Sequence, residues 1–532
     1  MLQISTVGCN FDCPGCISTV IVKEFDPSRK AVKRMSPDKI LQEAEKQGCE
    51  GIAFLMNDPL AAFRTFVSVG TKAKERGLMV ECASNAYFTE DSLSRVLPIL
   101  DFIHVGFKGY SDASYIECGA RNVGPVLRNL RILKNQGVHT EASCVHKKGR
   151  EHEVEALARH VSRISQDIPF HVMRYVPLED TSADLEPSIR ESEELCEFLR
   201  TFVKHVYLFN SPGTRFLSTF CPSCNELLFR REFYGPMGAK LKVNAIAPEP
   251  HHCPSCQTGI SVRGAIAPYS FQEEMFEGGY PFTRALEILE SILIAIGVTR
   301  KSDVVHAWDQ VLGCNTFPQL HRDIQVPKSF LDLVADLGNI MGRNKEAERL
   351  VTYLREKLEL VGRQVQKITK RPRVYYAMGK PWFCINGDRM ENHLVAFAGG
   401  ESINRMVQGK GRPGTEISSE VLNRLDPEII FISSMFGSPL DDFYSECQKA
   451  GIDVDATRNC RVHQHPIPVS DFGSPRWILG FMHIANVLHP ELFRFDIEEE
   501  AKAFYKDFYH VEFKPRELNL SFAKPLRTWA LT

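Results

Sequence analysis

The feature that most constrains the fold of this chain is a group of three cysteines placed directly after its first predicted strand. The strand reads LQISTV (2–7), and the motif CNFDCPGC (9–16) then supplies Cys9, Cys13 and Cys16. A four-iron four-sulfur cluster usually takes four thiolates, so three thiolates leave one iron open, as catalytic metal sites keep a position for substrate. The spacing therefore predicts a catalytic iron–sulfur cluster, with a zinc knuckle as the alternative.

Strand-like and helix-like segments alternate over the first two hundred residues. Ser36 and Pro37 predict a helix start that Gly48 ends, and further helices are expected over 59–76, 89–96 and 125–135. Repeated β-α units predict a parallel sheet, doubly wound or rolled into a barrel, with its site at the carboxyl ends of the strands. The apolar runs between the helices are GIAFLM (51–56), LMVECAS (78–84), DFIHVGF (101–107), VHTEASCV (138–145) and FHVMRYV (170–176).

Length and charge restrict the remaining possibilities. A chain of 532 residues is too long for one core and predicts several domains. Its 64 basic and 66 acidic side chains argue against a broad basic face for nucleic acid. The segment MLQISTVGCN lacks the pattern of a secretory signal, and the apolar run SILIAIGV (291–298) is too short to span a bilayer. We therefore expect a cytoplasmic protein without a membrane or nucleic-acid partner, whose cysteines bind metal or do chemistry rather than form disulfides.

A second group of cysteines lies in two identical knuckles. Cys221 and Cys224 frame the first Cys-Pro-Ser-Cys, and Cys253 and Cys256 frame the second. Four thiolates favour a structural zinc ion and allow rubredoxin-like iron, while an auxiliary iron–sulfur cluster is a further possibility. The adjacent His251 and His252 are either additional ligands or surface loop residues.

The first ~260 residues resemble radical S-adenosylmethionine (SAM) proteins related to pyruvate formate-lyase activating enzyme, most closely the AmmeMemoRadiSam branch. The resemblance implies a partial (β/α)6 TIM-like barrel in which Cys9, Cys13 and Cys16 hold the cluster that cleaves SAM. It also implies an electron donor such as ferredoxin or flavodoxin and, because the cluster is air-sensitive, an anaerobic or low-oxygen host. The segments that carry it are STVGCNFDCPGC (5–16), FLMNDP (54–59), SNAYFTEDSL (84–93), HVGFKGYSDASY (104–115), FHVMRYVP (170–177) and SPG (211–213).

The same resemblance implies SAM contacts outside the cysteines. Asp58 stands where the branch has the glutamate of Asn-Glu-Pro, and its carboxylate would bind the SAM ammonium as a charge-assisted pair. Two positions depart from the pattern, since Gly106 replaces the aspartate of Asp-Leu-Lys and Gly15 replaces an aromatic residue. The implied SAM-binding positions are Asn57, Asp58, Ser84, Asn85, Lys108, His171 and Arg174.

Residues ~263–495 resemble class III periplasmic binding proteins, which hold cobalamin, haem or ferric siderophores between two α/β lobes joined by one long spine helix. A helix over 345–368 is predicted here from apolar residues at three- and four-residue steps. The resemblance implies a large planar or metal-chelate ligand, with Trp308 and Trp382 for stacking and His306, His463 and His465 as axial or polar contacts. It is carried by ESILIAIGV (290–298), RPRVYYAMG (371–379), AGGESIN (398–404), EISSEVL–LDPEIIF (416–431) and GSPRWILGFMHIANVLHPELF (473–493).

These features together predict an α/β protein in four parts. They are a radical SAM core (1–215), a zinc-ribbon-like insert with four cysteines (216–262), a bilobal binding-protein-like domain (263–500) and a tail (501–532). The expected function is SAM cleavage coupled to methylation or modification of a small-molecule or cofactor substrate, with a corrinoid or another tetrapyrrole in the C-terminal domain. The alternatives are a metallocofactor maturase, a glycyl-radical-type activase and a non-enzymatic carrier or sensor of a metal complex.

Overall fold

The structure is a computed structural model, and it describes residues 1–25, 27–29, 32–177, 183–246, 251–262, 280–313, 320, 322–407, 413–467 and 469–514. Within these ranges every helix is either too short or too polar to cross a membrane.

A seven-stranded parallel sheet forms the N-terminal part of the molecule. Its strands lie side by side in chain order, from β1 to β7. This arrangement confirms the parallel α/β prediction and brings the carboxyl ends of consecutive strands together at one edge. The strands are β1 (Leu2–Ile4), β2 (Gly51–Phe54), β3 (Met79–Ser84), β4 (Phe102–Phe107), β5 (His139–His146), β6 (Phe170–Arg174) and β7 (Val206–Phe209).

Seven helices cover one face of this sheet. Alternate strand residues such as Val80, Ile103 and Val172 are buried under them in one apolar core. The Ser36 hydroxyl accepts from the Lys39 amide, as its predicted N-cap role requires. The helices are α1 (Pro37–Lys46), α2 (Phe63–Glu75), α3 (Glu90–Val96), α4 (Asp112–Glu117), α5 (Gly124–Asn135), α6 (Glu151–Ile164) and α7 (Ile189–Leu199).

A small antiparallel sheet follows and carries the second cysteine group. It consists of β8 (Thr219–Phe220), β9 (Leu227–Phe233) and β10 (Ala239–Asn244), with β9 in the middle.

The C-terminal part begins with helices and continues as a third sheet. The spine helix predicted over 345–368 is observed as α11 (Asn344–Val365), and its apolar stripe is buried. In the described residues this part has one sheet, in the order β14-β12-β11-β15-β16, with β13 beside β11. Its strands are β11 (Arg373–Met378), β12 (Lys380–Ile385), β13 (Glu401–Ser402), β14 (Gly414–Glu416), β15 (Ile429–Ile432) and β16 (Val462–Gln464). Its helices are α8 (Tyr280–Ala295), α9 (Lys301–Gly313), α10 (Pro327–Met341), α11, α12 (Met390–Phe397), α13 (Ser419–Leu425), α14 (Leu440–Ala450), α15 (Asp455–Arg458), α16 (Trp477–Leu488) and α17 (Ile497–Phe504).

The start of the predicted tail is part of the C-terminal core. Helix α17 runs across position 500 and continues as a π-helical turn at Tyr505–Tyr509. Phe504, Phe508 and Phe513 are buried in the same core as the spine helix. Residues 515–532 of the predicted tail lie outside the described residues.

The SPG segment (211–213) joins the two large parts. Lys380 N donates to Pro212 O at 3.1 Å, and Trp382 Nε1 donates to Gly213 O at 2.9 Å. Gly213 has a φ of +80°, and a Cβ there would lie 2.6 Å from that of Lys380, so this close approach requires glycine. The ammonium of Lys380 is buried between Glu193 at 2.8 Å and Glu446 at 3.2 Å.

Replacement of Lys380 by Met is expected to lower the free energy of unfolding by about 3 kcal/mol. The substitution leaves the carboxylates of Glu193 and Glu446 facing each other without the cation between them. Lys449→Met is the matched control, since Lys449 contacts the same Glu446 at 3.4 Å but its side chain is 61% exposed. Urea unfolding followed by tryptophan fluorescence measures both variants. Equal urea midpoints for Lys380→Met and Lys449→Met would contradict a stabilising role of the buried Lys380 ion pairs.

Candidate active site at the strand ends

The three-cysteine loop lies at the carboxyl end of β1 and is partly buried. Cys9, Cys13 and Cys16 are all of intermediate exposure. Gly8 N donates to Ile21 O at 3.1 Å, which holds the start of the loop against the turn that follows it. Burial raises the pKa of the Cys9 and Cys16 thiols, so positive charge is needed nearby to keep them as thiolates.

Asn57 fixes the cysteine loop to the end of β2. Its Oδ1 accepts from Thr6 N at 3.0 Å, and its Nδ2 donates to Thr6 Oγ1 at 2.7 Å and to Gly8 O at 2.9 Å. Both ends of the amide are thus used within the protein, and the SAM contact that the resemblance implied for Asn57 stays a prediction. Asn57 positions the loop that carries the cysteines.

Asp58, Ser84 and Asn85 form one buried group beside the loop. The Asp58 carboxylate accepts from Leu60 N at 2.9 Å, from Ser84 Oγ at 3.0 Å and from Asn85 N at 2.6 Å. Burial raises the pKa of Asp58, and these hydrogen bonds oppose that rise. Asn85 Nδ2 also donates to Asn10 Oδ1 at 2.6 Å and lies 3.9 Å from Cys9 Sγ.

Lys108 brings a positive charge to the cysteines. Burial by itself would lower the pKa of Lys108, but four surrounding cysteines raise it above its ordinary value. These are Cys13, Cys118, Cys16 and Cys9. Lys108 therefore lies near the three cysteines of the loop.

Cys118 is a fourth cysteine at this site that sequence reasoning missed. Asp12 N donates to Cys118 O at 2.9 Å, and the Cys118 thiol hydrogen-bonds with that of Cys13. This contact raises the pKa of Cys13, as burial also does, and it lowers the pKa of Cys118 although burial opposes that change. Cys118 follows α4, more than a hundred residues from the motif, so no local spacing signals it.

His171 and Arg174 lie apart from the cysteines. His171 Nε2 is 3.2 Å from Glu141 Oε2, and its ring centroid is 4.9 Å from that of His104. Arg174 is buried and donates to Glu186 Oε1 at 2.7 Å and to Asn210 O at 2.9 Å. The SAM contacts that the resemblance implied for His171 and Arg174 stay predictions.

The four cysteines of the small sheet come together as predicted. Cys221 Sγ is 3.6 Å from Cys256 Sγ, and Cys224 Sγ is 3.5 Å from Cys253 Sγ. Four thiolates at about 2.3 Å from a zinc ion are roughly 3.8 Å apart, so these separations fit a tetrahedral ion. The described residues group the four cysteines without His251 or His252.

The residues predicted to contact a ligand in the C-terminal part lie in different places in the structure. Trp308 is 1% exposed in the core, and its Nε1 donates to Leu286 O at 3.1 Å, so the expectation that it stacks on a ligand is wrong. Trp382 lies at the joint and lines a small cavity of about 330 Å³. His306 is exposed on α9, whereas His463 packs its ring 5.8 Å from that of Phe431.

A larger cavity of about 820 Å³ lies between the two large parts. One wall follows β6 and includes Arg174 and Val176, and the other includes Phe436 after β15 and His465 after β16. The Arg174 guanidinium lies 6.0 Å from the Phe436 ring centroid, so the two walls meet at this point. The cavity therefore lies at the same sheet edge as the carboxyl ends of the N-terminal strands.

His465 is fixed in the wall of this cavity. Its Nε2 hydrogen-bonds with the Tyr376 hydroxyl and lies 3.7 Å from Asp471 Oδ2. Its Nδ1 is buried and has no hydrogen-bond partner within the described part of the chain. Burial lowers the pKa of His465, so the imidazole is neutral at neutral pH.

Comparison with known proteins identifies both large parts. Residues 4–161 match the Radical SAM superfamily, and residues 308–459 match the Periplasmic binding protein family. A curated relative, "Uncharacterized protein MJ0808" of Methanocaldococcus jannaschii, is 25% identical over 268 residues, which are 49% of this chain and 78% of the relative.

Several solved structures are similar to part of the chain. A periplasmic solute binding protein from Veillonella parvula is 20% identical with a TM-score of 0.33, covering 38% of this chain and 63% of that one. A solute binding protein of an ABC transporter from Sulfurospirillum deleyianum is 25% identical with a TM-score of 0.31, covering 40% and 63%. This chain spans less than two thirds of the length of these binding proteins. It thus joins a radical SAM domain at residues 4–161 to a periplasmic-binding-protein domain at residues 308–459.

Proposed function

We propose that this chain is a radical SAM enzyme that acts on a ligand held in the 820 Å³ cavity between its two large parts. The observation that supports this most directly is the grouping of three partly buried cysteines with Asp58, Ser84 and Lys108 at neighbouring strand ends. A redox sensor would need the cysteines but would have no use for this polar group beside them.

The donor set fits a cluster with three protein ligands. Cys9, Cys13 and Cys16 would hold it, and the Lys108 ammonium would balance part of the negative charge of the thiolates. One-electron reduction of SAM to methionine and a 5′-deoxyadenosyl radical is the chemistry that such a cluster supplies. The electron would come from a small donor protein such as ferredoxin or flavodoxin.

Asp58 would recognise the amino group of SAM. Its carboxylate is held by Ser84 Oγ and Asn85 N, so its orientation is set before SAM binds. A buried carboxylate that meets an ammonium forms a charge-assisted hydrogen bond and would favour the ionised form of Asp58.

The cavity suits a corrinoid or another tetrapyrrole or metal chelate. Its volume of about 820 Å³ lies within the usual range for cofactor sites. Apolar side chains such as Phe436 and Met435 line it together with polar ones such as Gln464 and His465. Methylation or modification of the bound molecule is the reaction that we assign to this arrangement.

Titration of the full chain with aquocobalamin and with hemin tests the ligand class. The absorption spectrum of at least one probe should shift at micromolar concentration or below. His465→Ala should weaken that binding about tenfold, because the buried imidazole supports the cavity wall through its hydrogen bond with the Tyr376 hydroxyl.

His463→Ala is the matched control, because His463 is two residues away and does not line the cavity. It should bind the probe as the wild type does. A spectrum that neither probe changes would overturn the ligand class, and equal affinities of the two variants would exclude His465 as a support of the cavity wall. An iron complex found in protein purified anaerobically from its source would instead favour a metallocofactor maturase.

A further inference from the structure

Two histidines and a glutamate meet in the middle of the N-terminal sheet. His104 lies on β4, Glu141 on β5 and His171 on β6, which are adjacent strands. In each strand the neighbouring residues face the core under helices α1–α7, so these three side chains share the opposite face. One ligand atom from each lies within 4.8 Å of the other two.

One carboxylate oxygen lies close to both imidazoles. Glu141 Oε2 is 3.2 Å from His171 Nε2 and 3.7 Å from His104 Nδ1. Nitrogen and oxygen ligands at about 2.1 Å from a zinc ion are roughly 3.4 Å apart in a tetrahedral site. The spacing of the three groups therefore suits a first-row metal ion without a large rearrangement.

The His171 nitrogen that faces the glutamate lacks a proper partner. His171 is 9% exposed, and its Nε2 lies 3.2 Å from Glu141 Oε2 without the alignment of a hydrogen bond within the described residues. A buried nitrogen without a hydrogen bond costs free energy, and a bound ion would remove that cost.

A second layer of side chains orients the three groups. His104 Nε2 is 2.8 Å from Ser143 Oγ, which leaves its Nδ1 facing Glu141. His139 Nε2 is 3.2 Å from Glu141 Oε1, the oxygen that points away from the other two histidines. Metal-binding histidines and carboxylates have such outer partners in most sites.

The protonation states also suit a metal ion. Burial lowers the pKa of His104, so its imidazole is neutral at neutral pH. Burial would raise the pKa of Glu141, but the surrounding histidines together hold it well below its ordinary value. A neutral imidazole at His104 and an ionised carboxylate at Glu141 are the forms that bind metal ions.

We propose that His104, Glu141 and His171 bind a divalent first-row transition-metal ion that keeps open positions for water or substrate. Two imidazoles and one carboxylate suit ions such as Fe²⁺ and Zn²⁺. None of its ligand atoms comes from Cys9, Cys13 or Cys16, so this ion is distinct from the cluster. The site goes beyond the proposed SAM chemistry and does not depend on it.

Cobalt(II) is the probe for this site. The full chain, with its iron–sulfur cluster and its four-cysteine metal already bound, is dialysed against Co²⁺ and analysed by mass spectrometry. We expect one additional equivalent of cobalt, with an electron paramagnetic resonance signal of high-spin Co²⁺ that lacks thiolate ligands. His104→Ala and Glu141→Gln should each lower the cobalt affinity at least about a hundredfold, and His139→Ala about tenfold.

His152→Ala is the control, since His152 is exposed on α6, and it should bind cobalt as the wild type does. Glu141→Gln keeps the shape of the side chain, so it remains informative if His104→Ala does not fold. Circular dichroism and the retained four-cysteine metal report folding. Absence of the additional cobalt in the wild type, or equal uptake by Glu141→Gln and His152→Ala, would overturn the proposal in favour of a hydrogen-bonded network.

Discussion

Cys13→Ala is expected to reduce the release of 5′-deoxyadenosine from SAM to background in anaerobically reconstituted protein. The variant keeps two of the three proposed thiolate ligands, and two do not hold a four-iron cluster with a single open iron. Iron and sulfide content, the visible spectrum and 5′-deoxyadenosine formed with dithionite are the measurements.

Cys118→Ala is the matched control for this prediction. Cys118 is buried beside Cys13, so the two substitutions remove neighbouring thiols of the same kind. If Cys9, Cys13 and Cys16 are the complete ligand set, Cys118→Ala retains the cluster and SAM cleavage. Loss of the cluster in Cys118→Ala, or normal SAM cleavage in Cys13→Ala, would contradict that ligand set.

Cys253→Ser is expected to remove one metal ion per chain and to unfold the small sheet of β8, β9 and β10. Cys253 is fully buried in a core of only five buried side chains, two of which are Cys253 itself and Cys221. A core of this size does not hold a fold by itself, so the binding free energy of the metal is folding free energy. Metal analysis and limited proteolysis between 216 and 262 measure both effects.

Cys460→Ser is the control, because Cys460 is an exposed thiol outside the group of four. It should keep its metal and its resistance to protease. The metal found in the wild type also separates the three hypotheses for this site, since zinc is colourless, rubredoxin-like iron is coloured without sulfide, and an auxiliary cluster carries sulfide. Full metal content in Cys253→Ser would contradict the four-thiolate site.

The two large parts both line the 820 Å³ cavity. In the described residues the C-terminal part has one sheet, and the wall opposite that sheet comes from the segment after β6 of the radical SAM domain. A ligand in this cavity would therefore touch both domains at once. The buried Lys380 links the two large parts through its ion pairs with Glu193 and Glu446.

The sequence by itself determined both cysteine groups, the alternation of strands and helices, and the spine helix. Each of these is a local pattern, because ligand spacing within a loop and the periodicity of apolar residues depend on neighbours along the chain. Such local patterns did not determine the role of each single side chain. Asn57 carries the expected residue type, yet its amide is used to hold the cysteine loop.

Only the tertiary structure decided which distant side chains meet. His104, Glu141 and His171 come together because the register of three parallel strands aligns them, and register cannot be deduced from any one strand. In the same way, the packing of α9 against α8 buried Trp308, which the sequence alone left free to face a ligand. Local chemistry fixed the elements and the cysteine sites, whereas contacts between elements fixed the cavity and the histidine–glutamate group.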